Sequence, residues 1–380
     1  MTVRRAIGLM SGTSMDGVDV ALLETDGETI SAFGPTGYRA YSPAERSILA
    51  EAMAEAPALA RREDRPPALA KAEGLVTAAH AGAVNDFLSR NGLSPSDVDV
   101  IGFHGQTVLH RPQARLTVQL GDGAGLAAAT GIPVVHDFRA ADVAAGGQGA
   151  PLVPVFHAAL ARWAGLAPPV AFLNIGGVAN VTFINPGGSL AAFDTGPGNA
   201  LLDDWMRTRT GAGMDADGAT AAAGAPDEAL LTWLLSHPWF DAPPPKSLDR
   251  NWFSPGVAAH LDTADGAATL AHFTVRAIAR AVEASGGPPP ARWIVCGGGA
   301  HNPELMRLLR ERLQARIIPA DEAQLDGDFI EAQAFAFLAV RSLDGLPLTW
   351  PATTGAPAPM AGGVLATPPL RQSAAFAEPA

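Results

Sequence analysis

Apolar residues in this chain fall into short runs that stop at glycine, and the runs that follow alternate apolar with polar positions. Ala6 to Met10 forms the first such run. A polar stretch from Ser11 to Asp16 comes next, and then Val18, Val20 and Leu22 alternate. That pattern predicts a strand, a tight turn and a second strand. An alanine-rich zone from about Pro43 to Asn91 reads as helical, and Val98 to Phe103 as a strand ending at His104-Gly105-Gln106. After the Pro168-Pro169 break the opening pattern returns, with Val170 to Ile175, the turn Gly176-Gly177, and Val178 to Ile184. Trp293 to Cys296 is a third apolar run into glycine, at Gly297-Gly298-Gly299, followed by a helix over Pro303 to Leu309. A last amphipathic helix is expected over 328–342, and the Pro/Ala/Gly-rich tail 366–380 is expected to be weakly ordered.

Strands alternating with helices predict an α/β fold in layers. We divide it into a first domain over 1–150 and a second over 168–325, with the 328–342 helix packing back on the first. The echo between the two hairpins, at a period near half the chain, is either an internal duplication or coincidence. If it is a duplication, two facing hairpins could close on one polyphosphate.

The chain of 380 residues is 48% hydrophobic, enough for a large core and for two domains. A net charge of −12 argues against a general nucleic-acid surface and points to a small-molecule substrate. The one cysteine, Cys296, excludes an intrachain disulfide framework and a cysteine-rich metal site, and its apolar neighbours suggest a buried strand position. MTVRRAIGLM reads as a first strand rather than a signal peptide, and no apolar run is long enough to predict a membrane span.

The segment from Ser11 to Asp19 carries the clearest chemistry. Its glycines allow φ > 0 and bring backbone N–H groups close to an anion, and Ser11, Thr13 and Ser14 add hydroxyl donors without bulk. Asp16 and Asp19 sit where a hydrated divalent cation could be held through water. A P-loop does not fit, because Lys71 and Lys246 follow Ala70 and Pro245, and a G-x-S-x-G elbow fails at Asp16. The glycine turn after Cys296 would admit a flat ring or a phosphate, or would be an ordinary strand-to-helix connection.

Together the three glycine turns resemble the two phosphate segments and the adenosine segment of the sugar kinase/Hsp70/actin superfamily. Six stretches narrow the resemblance to the anhydro-N-acetylmuramic acid kinase family. They are GLMSGTSMDGVDVALLETDG, IGFHGQTVLHRP, TVQLGDGAGLAAATGIPVVHDFRAADVAAGGQGAPLVPVFHAAL, FLNIGGVANVTFI, FDTGPGNALLDDWM and VCGGGAHNPELM. The resemblance implies a two-domain actin-like ATPase (ribonuclease H-like) fold with a central cleft. It also implies a cytoplasmic homodimer that uses Mg-ATP to open the 1,6-anhydro ring with water and phosphorylate O6, in peptidoglycan recycling and amino-sugar breakdown. Nucleic-acid and membrane partners are not expected.

Carried onto this chain, the resemblance assigns nucleotide binding to Gly12, Thr13, Ser14, Met15, Asp16, Gly17, Val18, Asp19, Gly176, Gly177, Asn180, Gly297, Gly298 and Gly299. Opening an anhydro bridge requires a water activated on the face opposite the leaving oxygen, hence a carboxylate base. Asp194, before the Gly196-Pro197-Gly198 bend, is the candidate, although its local sequence would equally suit a turn-capping Asp. Arg139 suits the lactyl carboxylate through a bidentate pair, or a surface ion pair. His104, Gln106, Gly147, Gln148 and Glu331 complete the expected sugar contacts, with a structural role for His104 and a helix-dipole role for Glu331 as the local alternatives. No His, Cys and carboxylate set shows closed metal-ligand spacing, so the cation is expected to arrive with the nucleotide. The proline-rich stretch 241–250 receives no role. Two rival readings are an ATPase module that closes on a protein partner and a hydrolase that opens the sugar without ATP.

Overall fold

A computed structural model describes residues 2–369 apart from Thr13 and Asn251. The described residues divide into two compact units, 2–144 with 331–348 and 361–369, and 145–330 with 349–360.

In the first unit β1 (Arg4–Met10), β2 (Gly17–Thr25) and β3 (Ile30–Ala40) form an antiparallel meander. β4 (Val100–Phe103) lies parallel to β1 on its other side. β5 (Gln106–Arg111) and β6 (Leu116–Leu120) make a separate hairpin, and β7 (Val134–His136) runs parallel to β4. The helical zone proves to be two helices, Pro43–Glu55 and Pro67–Arg90, interrupted over 56–66. Ser42 and Glu45 form a capping box that starts the first. Leu69, Ala72, Val76, Ala83 and Phe87 recur at helical spacing along the second and bury one face in the core with Ile7, Val20 and Ile101. The Ile330–Leu343 helix crosses β1 and β4 at Gly8 and Gly102, where a Cβ would run into the carbonyl oxygens of Ala332 and Phe335. It is not the last helix, because Pro351–Thr354 follows it in the second unit. Ala366 ends a short strand, Val364–Ala366, paired with β7, and the expected weak tail lies outside the described residues from 370 onward.

The second unit, which begins ahead of the Pro168-Pro169 break, repeats the plan. β8 (Val170–Ile175), β9 (Val178–Ile184) and β10 (Leu190–Pro197) are antiparallel, and β11 (Arg292–Cys296) and β12 (Arg316–Pro319) continue the sheet in parallel. The two sheets therefore share the order third, second, first, fourth, fifth strand, in the same directions. Phe183, Phe193, Trp293 and the long Thr263–Ala284 helix build this unit's core, and Cys296 is buried in β11 as expected. This strand order is the ribonuclease H-like arrangement, and its repetition in one chain is the two-domain actin-like plan.

Candidate active site

Each unit gathers its polar residues where its parallel strands end, the usual place for ligands in open α/β sheets. In the first unit these are the segments after β1, β4 and β7. Ser11 Oγ donates to Gln106 Oε1 at 2.7 Å and lies 3.2 Å from the Tyr41 hydroxyl, while Gln106 Nε2 donates to the Gly12 carbonyl at 3.1 Å. Gln106, expected at a sugar hydroxyl, is instead 0% exposed and spends its amide on holding the turn. Among the described residues of the turn, the left-handed one is Met15 (φ 55°) and not a glycine. Asp16 Oδ1 accepts from Ser14 Oγ and from Gly17 N, both at 2.9 Å, which fixes the exit from the turn. Gly17 and Val18, expected at the nucleotide, are both buried in β2, and Val18 belongs to the core. Asp19 is half-buried, opposite Met10 in the β1–β2 register. Thr13 lies outside the described residues.

After β4, buried His104 places Nε2 3.0 Å from Arg139 Nη2. A guanidinium can only donate, so Nε2 accepts and the ring is neutral. Burial, with the Arg139 charge second, holds the His104 pKa well below its ordinary value. His104 therefore positions Arg139 and is not itself open to a sugar hydroxyl. Burial lowers the Arg139 guanidinium to about 10, against the pull of Glu331 and Asp142. Solvent reaches the Glu331 side chain in the first turn of its helix, although protein crowds the carboxyl; that crowding raises its pKa, with Arg139 opposing.

In the second unit the strand register aligns Asp194, Asn180 and Asn174 across β10, β9 and β8, so three half-buried polar side chains share one face of the sheet. Asp194 lies at a bulge in β10. Its N–H donates to the Lys246 carbonyl at 3.0 Å, and its Oδ2 accepts from Leu248 N at 2.8 Å. Burial pushes the Asp194 carboxyl up to about 6, and the Leu248 N–H restrains the rise.

The Gly176-Gly177 turn is pinned from behind. Its carbonyls accept from Asn199 N at 2.7 Å and Gly198 N at 3.0 Å, and Asn199 Nδ2 donates to the Ile175 carbonyl at 2.9 Å. Gly297 adopts φ 76°, where a Cβ would also strike Asn174 Oδ1, and a Cβ at Gly299 would strike Ile175. Gly298 lies against Asn199 as well, so two asparagines bracket both glycine turns of this unit. Gly147 is buried, and Gln148 N donates to the Thr354 carbonyl at 2.6 Å.

Several of these parts escape sequence reasoning. The Lys246 and Leu248 contacts are made by backbone, which carries no residue signature, from a segment more than 50 positions from Asp194. Tyr41, Asn174 and Asn199 act on turns remote in sequence. Asn174 and Asn199 lie inside the FLNIGGVANVTFI and FDTGPGNALLDDWM stretches, whereas no motif marks Tyr41.

Twin ribonuclease H-like units with glycine turns at their strand ends, one of them beside a carboxylate tuned to titrate near neutrality, define a phosphotransferase of the actin-like class. The sequence model of the anhydro-N-acetylmuramic acid kinase family matches residues 4–368. Kinases of that name from Methylobacterium nodulans and Nitrobacter winogradskyi are 62% and 57% identical to this chain. The alignments cover 96% of this chain in both cases, and 100% and 99% of those proteins. The chain belongs to the anhydro-N-acetylmuramic acid kinase family.

Proposed function

We propose that this enzyme takes ATP, water and 1,6-anhydro-N-acetylmuramic acid to N-acetylmuramic acid 6-phosphate and ADP. Asp194 is the base. At pH 7 a carboxyl titrating at about 6 is roughly nine-tenths ionised and basic enough to accept a proton. It takes the proton of a water whose oxygen bonds to C1, and the C1–O6 bond breaks with its electron pair left on O6. O6 attacks the γ-phosphorus, and the bond to the bridging oxygen breaks with its pair leaving on ADP. Capture by phosphorus replaces the acid that would protonate the leaving oxygen in an ordinary inverting glycosidase. The proton on Asp194 then passes to solvent.

The turns after β1 and β8 serve as phosphate-binding elements. Their glycines leave the backbone face open: an added Cβ meets nothing nearer than 3.5 Å at Gly12 or Gly176, and 3.4 Å at Gly177. Such a face lets a phosphate approach backbone N–H groups. Gly297 to Gly299 bound the adenosine, and Asn180 belongs to the same site. Asp16 and Asp19, the acidic residues of the first turn, would hold a nucleotide-bound Mg2+ through water, and the ion would neutralise phosphate charge. Among the described residues no three His, Cys, Asp or Glu side chains converge as direct ligands. Arg139, oriented by His104, and Glu331 are the first unit's sugar contacts, and Gly147 and Gln148 are those of the second. The enzyme acts as a cytoplasmic homodimer in peptidoglycan recycling. No helix among the described residues is long and apolar enough to cross a membrane.

The observation that carries this reading is the environment of Asp194, a partly desolvated carboxylate held by one backbone N–H. ADP release measured with and without the anhydro sugar, in water enriched in heavy oxygen, tests it. The expected result is sugar-dependent ADP release with the heavy atom at C1 of the product. ATP turnover without sugar would favour the partner-closing module, and ring opening without ATP the simple hydrolase.

A further inference from the structure

The proline-rich stretch before Arg250 contacts two parts of the second unit's site. Its backbone holds Asp194 through Lys246 O and Leu248 N. Two residues on, Arg250 reaches the glycine turn: its Cδ lies 4.0 Å from the point where a Cβ on Gly177 would stand. Its guanidinium is only loosely engaged. Arg250 Nη2 is 3.8 Å from Asp204 Oδ1, an oxygen that Arg207 Nη1 already holds at 2.6 Å, and the Arg250 side chain is 57% exposed. Asp203 and Asp204 lie on the Asn199–Thr210 helix, whose first turn packs against Gly177, with Ala200 Cβ 3.4 Å from the point where a Cβ on Gly177 would stand, and the Arg250 charge acts on Asp203 as well. Two carboxylates so close to a phosphate turn would repel a polyphosphate unless a cation offset them.

We propose that Arg250 binds the terminal phosphates of ATP at the Gly176-Gly177 turn, leaving Asp204 to Arg207. The proposal rests on that turn being a phosphate site. Arginine suits the task because its planar fork matches two phosphate oxygens at once. The same short segment then bears on both reactants, with the backbone of Lys246 and Leu248 seating the base and Arg250 holding the phosphoryl donor.

Calorimetric titration of wild type, Arg250→Ala and Arg250→Lys with a non-hydrolysable ATP analogue and with adenosine, beside steady-state kinetics, tests the assignment. Arg250→Ala should weaken the analogue about tenfold or more, leave adenosine affinity unchanged and raise KM for ATP, with partial recovery in Arg250→Lys. Unchanged analogue affinity in Arg250→Ala would overturn the proposal and leave Arg250 a surface partner of Asp204. Equal loss of analogue and adenosine would also overturn it, since a residue that merely supports the fold would weaken both. A wild-type enzyme that turns over ATP with the sugar while both variants match it would sink this inference alone; wild type binding no analogue would sink the phosphate-site reading beneath it.

Discussion

Replacing Asp194 by Asn separates chemistry from folding cleanly. The amide oxygen can still accept from Leu248 N, which lies 2.8 Å from the wild-type carboxylate, so the local structure is retained. What is lost is the proton acceptor, and a positioned general base contributes typically ~10²–10⁴-fold to rate. The wild-type carboxyl titrates at about 6, so kcat/KM should fall about tenfold for each pH unit below that value, and this acid limb should vanish in the Asp194→Asn enzyme. Stability should move the other way. Because burial raises the folded pKa above the ordinary 3.8, the unfolded chain releases this proton first, and wild-type stability drops as pH rises from about 4 to 6 and stays lower above. The gap corresponds to about 3 kcal/mol at neutral pH, an upper bound for the gain from the uncharged amide. Asp194→Asn is thus expected to be nearly inactive yet to melt higher at pH 7, with no advantage at pH 4. Rate profiles in a coupled ADP assay and thermal melts at the two pH values check this. Near-wild-type turnover, or an acid limb that persists in the variant, would refute the assignment.

Three further outcomes follow from the glycine turns. Gly12→Val should fold normally, since Gly12 is not left-handed and its nearest neighbour to a Cβ is Ser14 Oγ at 3.5 Å, but KM for ATP should rise sharply; an unchanged KM removes this turn from the nucleotide site. Gln106→Leu deletes both Gln106 bonds to the turn and leaves buried Ser11 only the Tyr41 hydroxyl, so thermal melts should report a loss of about 1–3 kcal/mol together with weaker ATP binding. Gly297→Ala meets both a φ of 76° and the Asn174 side chain, and it should lower the melting temperature by several degrees even without ligand; a variant as stable as wild type would show that Asn174 moves aside freely.

The sequence by itself determined the parts whose cause is local. Alternation and glycine punctuation marked β1, β2, β8, β9 and β11 and the turns between them, because strand period and turn chemistry are written in neighbouring residues. The resemblance of both hairpins was legible for the same reason, and the long motifs named the family. Local signals also misplaced several residues. Gln106 looked like a sugar contact, but the sheet lays β4 beside β1 and so delivers its amide to Ser11 and Gly12. Val18 shares a motif with exposed turn residues, yet the strand's period of two sends it into the core. The tuning of Asp194 was out of reach altogether. It depends on the desolvation that packing imposes and on one N–H from Leu248, and neither burial nor a backbone bond across 54 positions is encoded next to the residue it controls.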